Sequence, residues 1–314
     1  MDNVQLKEAI LRLKKEKNAV ILGHYYQRDE IQEVSDYVGD SLALAQEARN
    51  TQCDIIVFCG VHFMAETAKI LNPGRKVLLP DSNANCSLAR CCRADDFARF
   101  KAQYPDHMVI SYINCSAEIK ALSDLICTSG NAQKLVNSLP KDQKIIFAPD
   151  RNLGAYINRQ TGRSMVLWDG SCVVHDALSS DDVTNVKSKY PDAPVIAHPE
   201  CNQSVLQISD FVGSTKAMLG FIQKSTAKRF IVATEAGILY EMHKNFPDKE
   251  FIPATVGTKP CLECADMKFN TLEKLYNCIL NESPEITLSQ EMISKAEAPI
   301  VRMLDMSQQL GLIK

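Results

Sequence analysis

The sequence predicts an α/β protein made of three homologous three-layer αβα domains with small parallel sheets, related by pseudo-threefold symmetry. Three observations predict it. The phrase "VSDYVGDS" (34–41) returns as "LSDLICTS" (122–129) and again as "ISDFVGST" (208–215). The step from Ser35-Asp36 to Ser123-Asp124 is 88 residues, and "YPD" (104–106 to 190–192), Cys86 to Cys172 and Cys115 to Cys201 all step by 86. Self-similarity at so steady a period marks repeated structural units. Short apolar runs alternating with helical stretches of about ten residues then mark βα units with a parallel sheet.

The elements follow in order. "MDNVQLKEAILRLKKEKN" carries apolar residues at helical spacing with charges opposite, and lacks the apolar region and small-residue cleavage site of a secretory signal, so it reads as an amphipathic helix of a cytoplasmic protein. Each copy opens with a β-branched run: "NAVILGHY" (18–25), "MVISYIN" (108–114) and "PVIAHPE" (194–200). A short helical stretch leads to the repeated phrase, and a second helix follows it. A second buried run ("IIVFCG", "KIIFAP", "FIVATE"), another helix and a last short strand ("KVLLP", "MVLW", "EFIP") complete the unit. The expected units are 1–87 with the N-terminal helix, 88–173 and 174–266, with 88–104 and 176–190 as linking helices and 267–314 as helices packing on the core. A purely structural solenoid is disfavoured, because the period is long and the copies few.

Composition narrows the function. The chain has 314 residues with a net charge of −3 and no basic stripe, which argues against nucleic acid or an anionic membrane as partner. No apolar run is long enough to span a bilayer. Twelve cysteines in a chain without a secretory signal suggest metal binding, redox chemistry or small-residue packing rather than a disulfide framework.

Ligands of parallel sheets bind beyond the carboxyl ends of the strands. Aligned copies place His24 with Tyr26, Tyr112 with Asn114, and His198 with Glu200 at the ends of the first strands, and alternation turns i and i+2 to one side. Glu200, the lone carboxylate of the six, is the candidate general base, with His24, His198 and Tyr112 as donors or proton shuttles. The repeated phrase ends in a hydroxyl residue expected to begin a helix: Ser41, Ser129 and Ser214-Thr215. Helix N-termini of this kind bind carboxylates and phosphates, although simple capping is the plainer role. A small substrate with more than one acidic group is implied.

A cysteine follows the last strand of each unit: Cys86, Cys172 and Cys264, spaced 86 and 92 residues apart. Around a threefold axis these thiols meet. Zinc is disfavoured because "CLEC" has no second C-x-x-C partner. A [4Fe–4S] cluster held by three thiolates would leave one iron open as a Lewis acid for dehydration. His175 is a candidate hydrogen-bond donor beside it or a substrate contact. Cys261 stands where a reversible disulfide with Cys264 is conceivable. Cys53, Cys59, Cys91, Cys92, Cys127 and Cys278 are assigned no chemistry, and Cys115 and Cys201 stay open.

These residues resemble the quinolinate synthase family, across essentially the whole chain. The matching stretches are "GHYYQRDEIQEVSDYVGDSLALA", "GVHFMAETAKILNP", "SYINCSAEIKALSD", "APDRNLGAYI", "GSCVVH", "HPEC", "FVGSTKAM" and "CADMKFNTLEKLY". The resemblance implies an open-site [4Fe–4S] cluster on Cys86, Cys172 and Cys264, the last chosen because "C-x-x-M-K" matches the family's shorter form. It implies condensation of iminoaspartate with dihydroxyacetone phosphate to quinolinate, with release of phosphate and two waters. The imine would come from an aspartate-oxidising enzyme. The positions that carry over are His24, Tyr26, Ser41, Tyr112, Asn114, Ser129, His175, His198, Glu200, Ser214 and Thr215, with Tyr26 joining Glu200 in proton transfer. The rivals are another [4Fe–4S] hydro-lyase acting on a small hydroxy acid, which needs no phosphate pocket, and a non-catalytic redox sensor built on "CLEC".

Overall fold

The computed structural model describes residues 1–255 and 262–313. Cys261, and with it the conceivable Cys261–Cys264 disulfide, lies outside the described residues. After α1 (Asn3–Glu16), the first unit runs β1 (Ala19–His24), α2 (Asp29–Val34), β2 (Tyr37–Gly39), α3 (Ser41–Asn50), β3 (Ile55–Cys59), α4 (His62–Leu71) and β4 (Lys76–Leu78). Helices α5 (Ser87–Arg90) and α6 (Ala94–Ala102) lead into the second: β5 (Met108–Tyr112), α7 (Ala117–Ala121), β6 (Leu125–Cys127), α8 (Ala132–Ser138), β7 (Ile145–Ala148), α9 (Arg151–Thr161) and β8 (Val166–Leu167). Helices α10 (Val173–Asp176) and α11 (Ser180–Lys189) open the third: β9 (Val195–Ala197), α12 (Gln203–Gln207), β10 (Phe211–Val212), α13 (Thr215–Lys224), β11 (Arg229–Ala233), α14 (Ile238–Asn245) and β12 (Glu250–Pro253). Two more helices follow, α15 (Leu272–Asn281) and α16 (Gln290–Gln309).

Each unit forms one four-stranded parallel sheet with its second strand at an edge, then the first, third and fourth. The central strands are buried along nearly their whole length, as strands covered by helices on both faces must be. The C-terminal helices pack on the core: α15 lies against α1, and α16 against α4, α7, β6 and α8. Among the described residues no helix is long and apolar enough to cross a membrane.

The geometry explains why one phrase is written three times. Its serine closes the preceding helix: Oγ of Ser35, Ser123 and Ser209 donates to the carbonyls of Ile31, Ile119 and Val205 at 2.8, 2.7 and 2.8 Å. Its aspartate then grips the first strand. Oδ2 of Asp36, Asp124 and Asp210 accepts from the N–H of Ile21, Val109 and Val195 at 2.8, 2.7 and 2.7 Å. Each aspartate also returns its own N–H to the carbonyl of that strand residue at 2.9 Å. Two hydrogen bonds per unit therefore set the register of the edge strand before its ladder begins.

A second device recurs with the same period. A basic residue just before or near the fourth strand reaches back to the C-terminus of the second helix: Arg75 to Thr51, Arg163 to Val136 and Leu139, and Lys249 to Ile222 and Ser225. Cations there satisfy the orphan carbonyls and complement the helix dipole.

Two expectations need correction. The hydroxyls do not themselves cap all three helices. Asp40 caps α3, making Ser41 the first helical residue, and Ser214 caps α13. In the second unit an extra turn spans 129–131, Asn131 precedes α8, and its Oδ1 accepts from the Thr128 N–H at 2.6 Å. The linker expected over 88–104 is broken at Cys91–Arg93, because Asp95 and Asp96 favour a fresh N-terminus for α6. Likewise α11 starts only at Ser180, behind a reciprocal Ser179–Asp182 capping box.

Arg163→Ala should strip the α8 terminus of its partner and cost about 2 kcal/mol of stability, read by urea unfolding. Arg163→Lys should recover part of that loss, since a lysine does the same work in the third unit; equal midpoints for the three proteins would remove this role.

Candidate active site and thiol centre

Because every strand of a parallel sheet finishes at one edge, the three first strands deliver their polar pairs into a common cavity. His24, Tyr26, Ser41, Tyr112, Asn114, Ser129, His175, His198, Glu200 and Thr215 all line it, together with Cys86, Cys172 and Cys264. Ser214 does not; its Oγ accepts from Ala217 N at 3.3 Å as a helix cap. Repeat arithmetic alone separates the two: Ser41 plus 88 is Ser129, and Ser129 plus 86 is Thr215.

A continuous hydrogen-bonded relay crosses the cavity. Tyr112 OH donates to Glu200 Oε1 at 2.5 Å, and His175 Nδ1 lies 3.0 Å from Glu200 Oε2. His175 Nε2 is 2.8 Å from Thr234 Oγ1, which is 2.9 Å from Tyr26 OH. One set of proton positions satisfies every member: Tyr26 donates to Thr234, Thr234 to His175 Nε2, and His175 Nδ1 and Tyr112 to an ionised Glu200. The Glu200 turn is held from outside by Asn152 Nδ2, which donates to the Glu200 carbonyl at 3.1 Å and to Asp176 Oδ1 at 2.9 Å.

Charge is distributed accordingly. Burial pushes the Glu200 carboxyl up, but the His175 and His198 rings and the Tyr112 hydroxyl outweigh it and hold it below the usual carboxylate range. Tyr26 and Tyr112 move the other way, well above the usual phenol value, through burial and the nearby Glu200 anion. His24 and His198 are lowered by burial to about 3, so both rings are neutral near pH 7. In each, Nδ1 accepts the backbone N–H two residues on, from Tyr26 at 3.1 Å and Glu200 at 3.4 Å. That leaves Nε2–H to point inward, and His198 Nε2 meets Ser129 Oγ at 3.2 Å. Asn114 Oδ1 and Thr128 Oγ1 are buried in the cavity wall and have no protein partner among the described residues. Buried polar atoms of this kind call for a ligand or water.

The thiols share one local design. Backbone N–H groups two and three residues ahead face each sulfur and favour its thiolate: Leu88 and Ala89 for Cys86, Val174 and His175 for Cys172, Asp266 and Met267 for Cys264. Burial nonetheless pushes all three thiols up, Cys86 to about 12, Cys264 to about 11 and Cys172 well above the usual value. Mutual repulsion adds to this between Cys86 and Cys264 and between Cys172 and Cys86. Three sulfurs faced by N–H groups, yet held neutral by burial and one another, fit a positively charged iron–sulfur centre that would favour their thiolates. Atoms of Cys172, His175 and Glu200 also lie within 4.8 Å of one another, a grouping able to hold a cation. The same His175 Nδ1 also lies 3.3 Å from Cys172 Sγ, so this nitrogen stands between the relay and the thiol centre.

Sequence reasoning missed Thr234, Asp40, Thr128 and Glu235. Thr234 and Glu235 sit at the end of β11, one strand over from the aligned pairs. Aligning the third strands as well as the first would have exposed them.

Residues 8–305 match the family model described as quinolinate synthetase A protein. The quinolinate synthase of Microcystis aeruginosa is 60% identical over 300 residues, covering 95% of this chain and 94% of its own. That of Gloeothece citriformis is 59% identical over 301 residues, covering 96% and 93%. That of Chloroherpeton thalassium is 57% identical over 310 residues, covering 98% and 96%. A solved E-1-hydroxy-2-methyl-but-2-enyl-4-diphosphate reductase from Plasmodium falciparum overlaps 89% of this chain and 94% of its own at 11% identity and a TM-score of 0.36, too slight a likeness to argue from. The family match runs through all three repeats, their strand-end pairs and their thiols, and the chain belongs to the quinolinate synthetase A family.

Proposed function

We propose that this chain is a quinolinate synthase of NAD biosynthesis that condenses iminoaspartate with dihydroxyacetone phosphate, releasing phosphate and two waters. The reaction is redox-neutral, so no oxidant or reductant has to be supplied. The observation that carries the reading is the meeting, in one cavity, of the five-membered relay with the three N–H-supported thiols. Cys86, Cys172 and Cys264 would hold a [4Fe–4S] cluster, whose iron lacking a protein thiol supplies Lewis acidity for loss of a hydroxyl.

The chain's own residues do the rest. His198, Ser129 and Thr215, with the Thr128 hydroxyl, donate to the dicarboxylate, and Asn114 Oδ1 accepts from its imine N–H. Ser41 at the start of α3 and His24 orient the triose phosphate. Glu200 accepts a proton from the iminoaspartate carbon as the new carbon–carbon bond displaces phosphate. Its low basicity at rest means that Tyr112 and His175 must loosen their bonds to it as substrate enters. Tyr26 and Glu200, joined through Thr234 and His175, then shift protons during isomerisation and ring closure. Imines hydrolyse in water, so an aspartate-oxidising enzyme has to feed the site, and a reducing cytoplasm suits the free thiols.

Anaerobic purification with iron and sulfide quantified, followed by a quinolinate assay on the two substrates, tests the proposal. Glu200→Gln should lower turnover by about 100- to 1,000-fold with iron content unchanged. Cys86→Ser should abolish the bound iron and its visible absorbance; a full four-iron complement in that variant would refute the ligand set. Burial lowers His24 and His198 to about 3 in the folded chain, against an ordinary imidazole value of 6.5 in the unfolded one. Between these values the unfolded chain binds more protons, so their contribution is intact above the unfolded value and drains away as pH falls toward 3. Thermal midpoints should drop through that window, and His198→Gln should flatten the drop.

A further inference from the structure

We infer that Glu235 and Lys268 are positioning residues that hold the Cys264 loop and the Tyr26 turn as one piece. The inference rests on the roles given above to Tyr26 and Cys264. Glu235 stands just past β11 and is almost wholly buried. Its Oε1 accepts the Cys264 N–H at 3.0 Å and lies 3.1 Å from Lys268 Nζ. Its Oε2 accepts the Gly237 N–H at 2.7 Å. Lys268 Nζ also donates to the Tyr26 carbonyl at 2.7 Å. One ion pair thus joins three segments remote in sequence, and two of its bonds land on the main chain of a thiol residue and of a relay tyrosine.

The surroundings leave no slack. Arg28 Nε donates to the Lys268 carbonyl at 3.0 Å, closing the tyrosine turn from its far side. A Cβ on Gly237 would stand 2.8 Å from backbone atoms of Tyr26 and 2.9 Å from Glu235 Oε2. The chain there needs glycine because the turn is packed against it. Tyr26 ends the relay with a 2.9 Å bond to Thr234, and a shift of its turn by about an ångström would break that contact, a displacement worth up to about 100-fold in rate.

The two arms of the pair can be separated. In Lys268→Met, Glu235 still accepts the Cys264 N–H while the Tyr26 carbonyl is released. Measured anaerobically, this variant should keep its iron, lose about 10- to 100-fold in kcat with KM nearly unchanged, and show faster amide exchange over residues 24–28. Lys268→Arg should restore much of kcat. Removing one member of a buried pair can itself unfold a protein, so Glu235→Leu/Lys268→Met, which removes both charges and both acceptor oxygens, is the companion variant. It should lose iron as well as turnover and exchange faster in both segments. Wild-type kcat and exchange in Lys268→Met, or full iron retention in the double variant, would overturn the inference. A wild-type enzyme that makes no quinolinate would sink the proposed function instead, leaving the iron and exchange measurements to judge the pair.

Discussion

Parallel strands all finish at the same edge, so each of the three sheets gathers its strand-end turns in one place, and facing those edges inward gathers them all. Everything chemical in the molecule follows from that placement. The first strands contribute imidazoles, phenols, an amide and one carboxylate. The turns after the fourth strands contribute the thiols. The paired hydrogen bonds from Asp36, Asp124 and Asp210 keep the first strands in register with their edge neighbours. A slip of one residue there would turn His24, Tyr112 and His198 to the opposite face.

Within that frame the buried Glu200 anion dictates the details. A carboxylate removed from water has to be met by donors or it becomes protonated. Here Tyr112 and His175 meet it, and their own second partners or burial keep them oriented. The same anion raises both tyrosines, so the phenols remain donors. Neutral His24 and His198 carry no charge of their own into the cavity, and helix starts and polar side chains are placed to receive acidic groups. The relay and the thiol centre share the His175 segment, since the His175 N–H also favours the Cys172 thiolate.

Much of this was legible in the sequence because the repeat converts spacing into position. Aligning the copies sufficed to bring His24, Tyr112 and His198 together, and likewise the three cysteines. It failed where a unit departs from its siblings. The extra turn at 129–131 moved the start of α8 away from Ser129, and Asp40 rather than a hydroxyl caps α3. Thr234 and Glu235 escaped notice because their partners, His175, Tyr26 and Lys268, are distant in the chain. No local pattern announces a contact of that kind. The repeated serine–aspartate pair was legible as repetition but not as purpose, since only coordinates show the strand N–H it binds.

The three strand-end pairs differ, although the scaffold around them is spelled alike: histidine with tyrosine, tyrosine with asparagine, histidine with glutamate. A ring of three identical subunits could not do this, because rotational symmetry would repeat any one pair three times about its axis. Joining the lobes in a single polypeptide lifts that restriction. Each lobe can mutate alone, and the axis becomes a place where unlike side chains stand at separate corners.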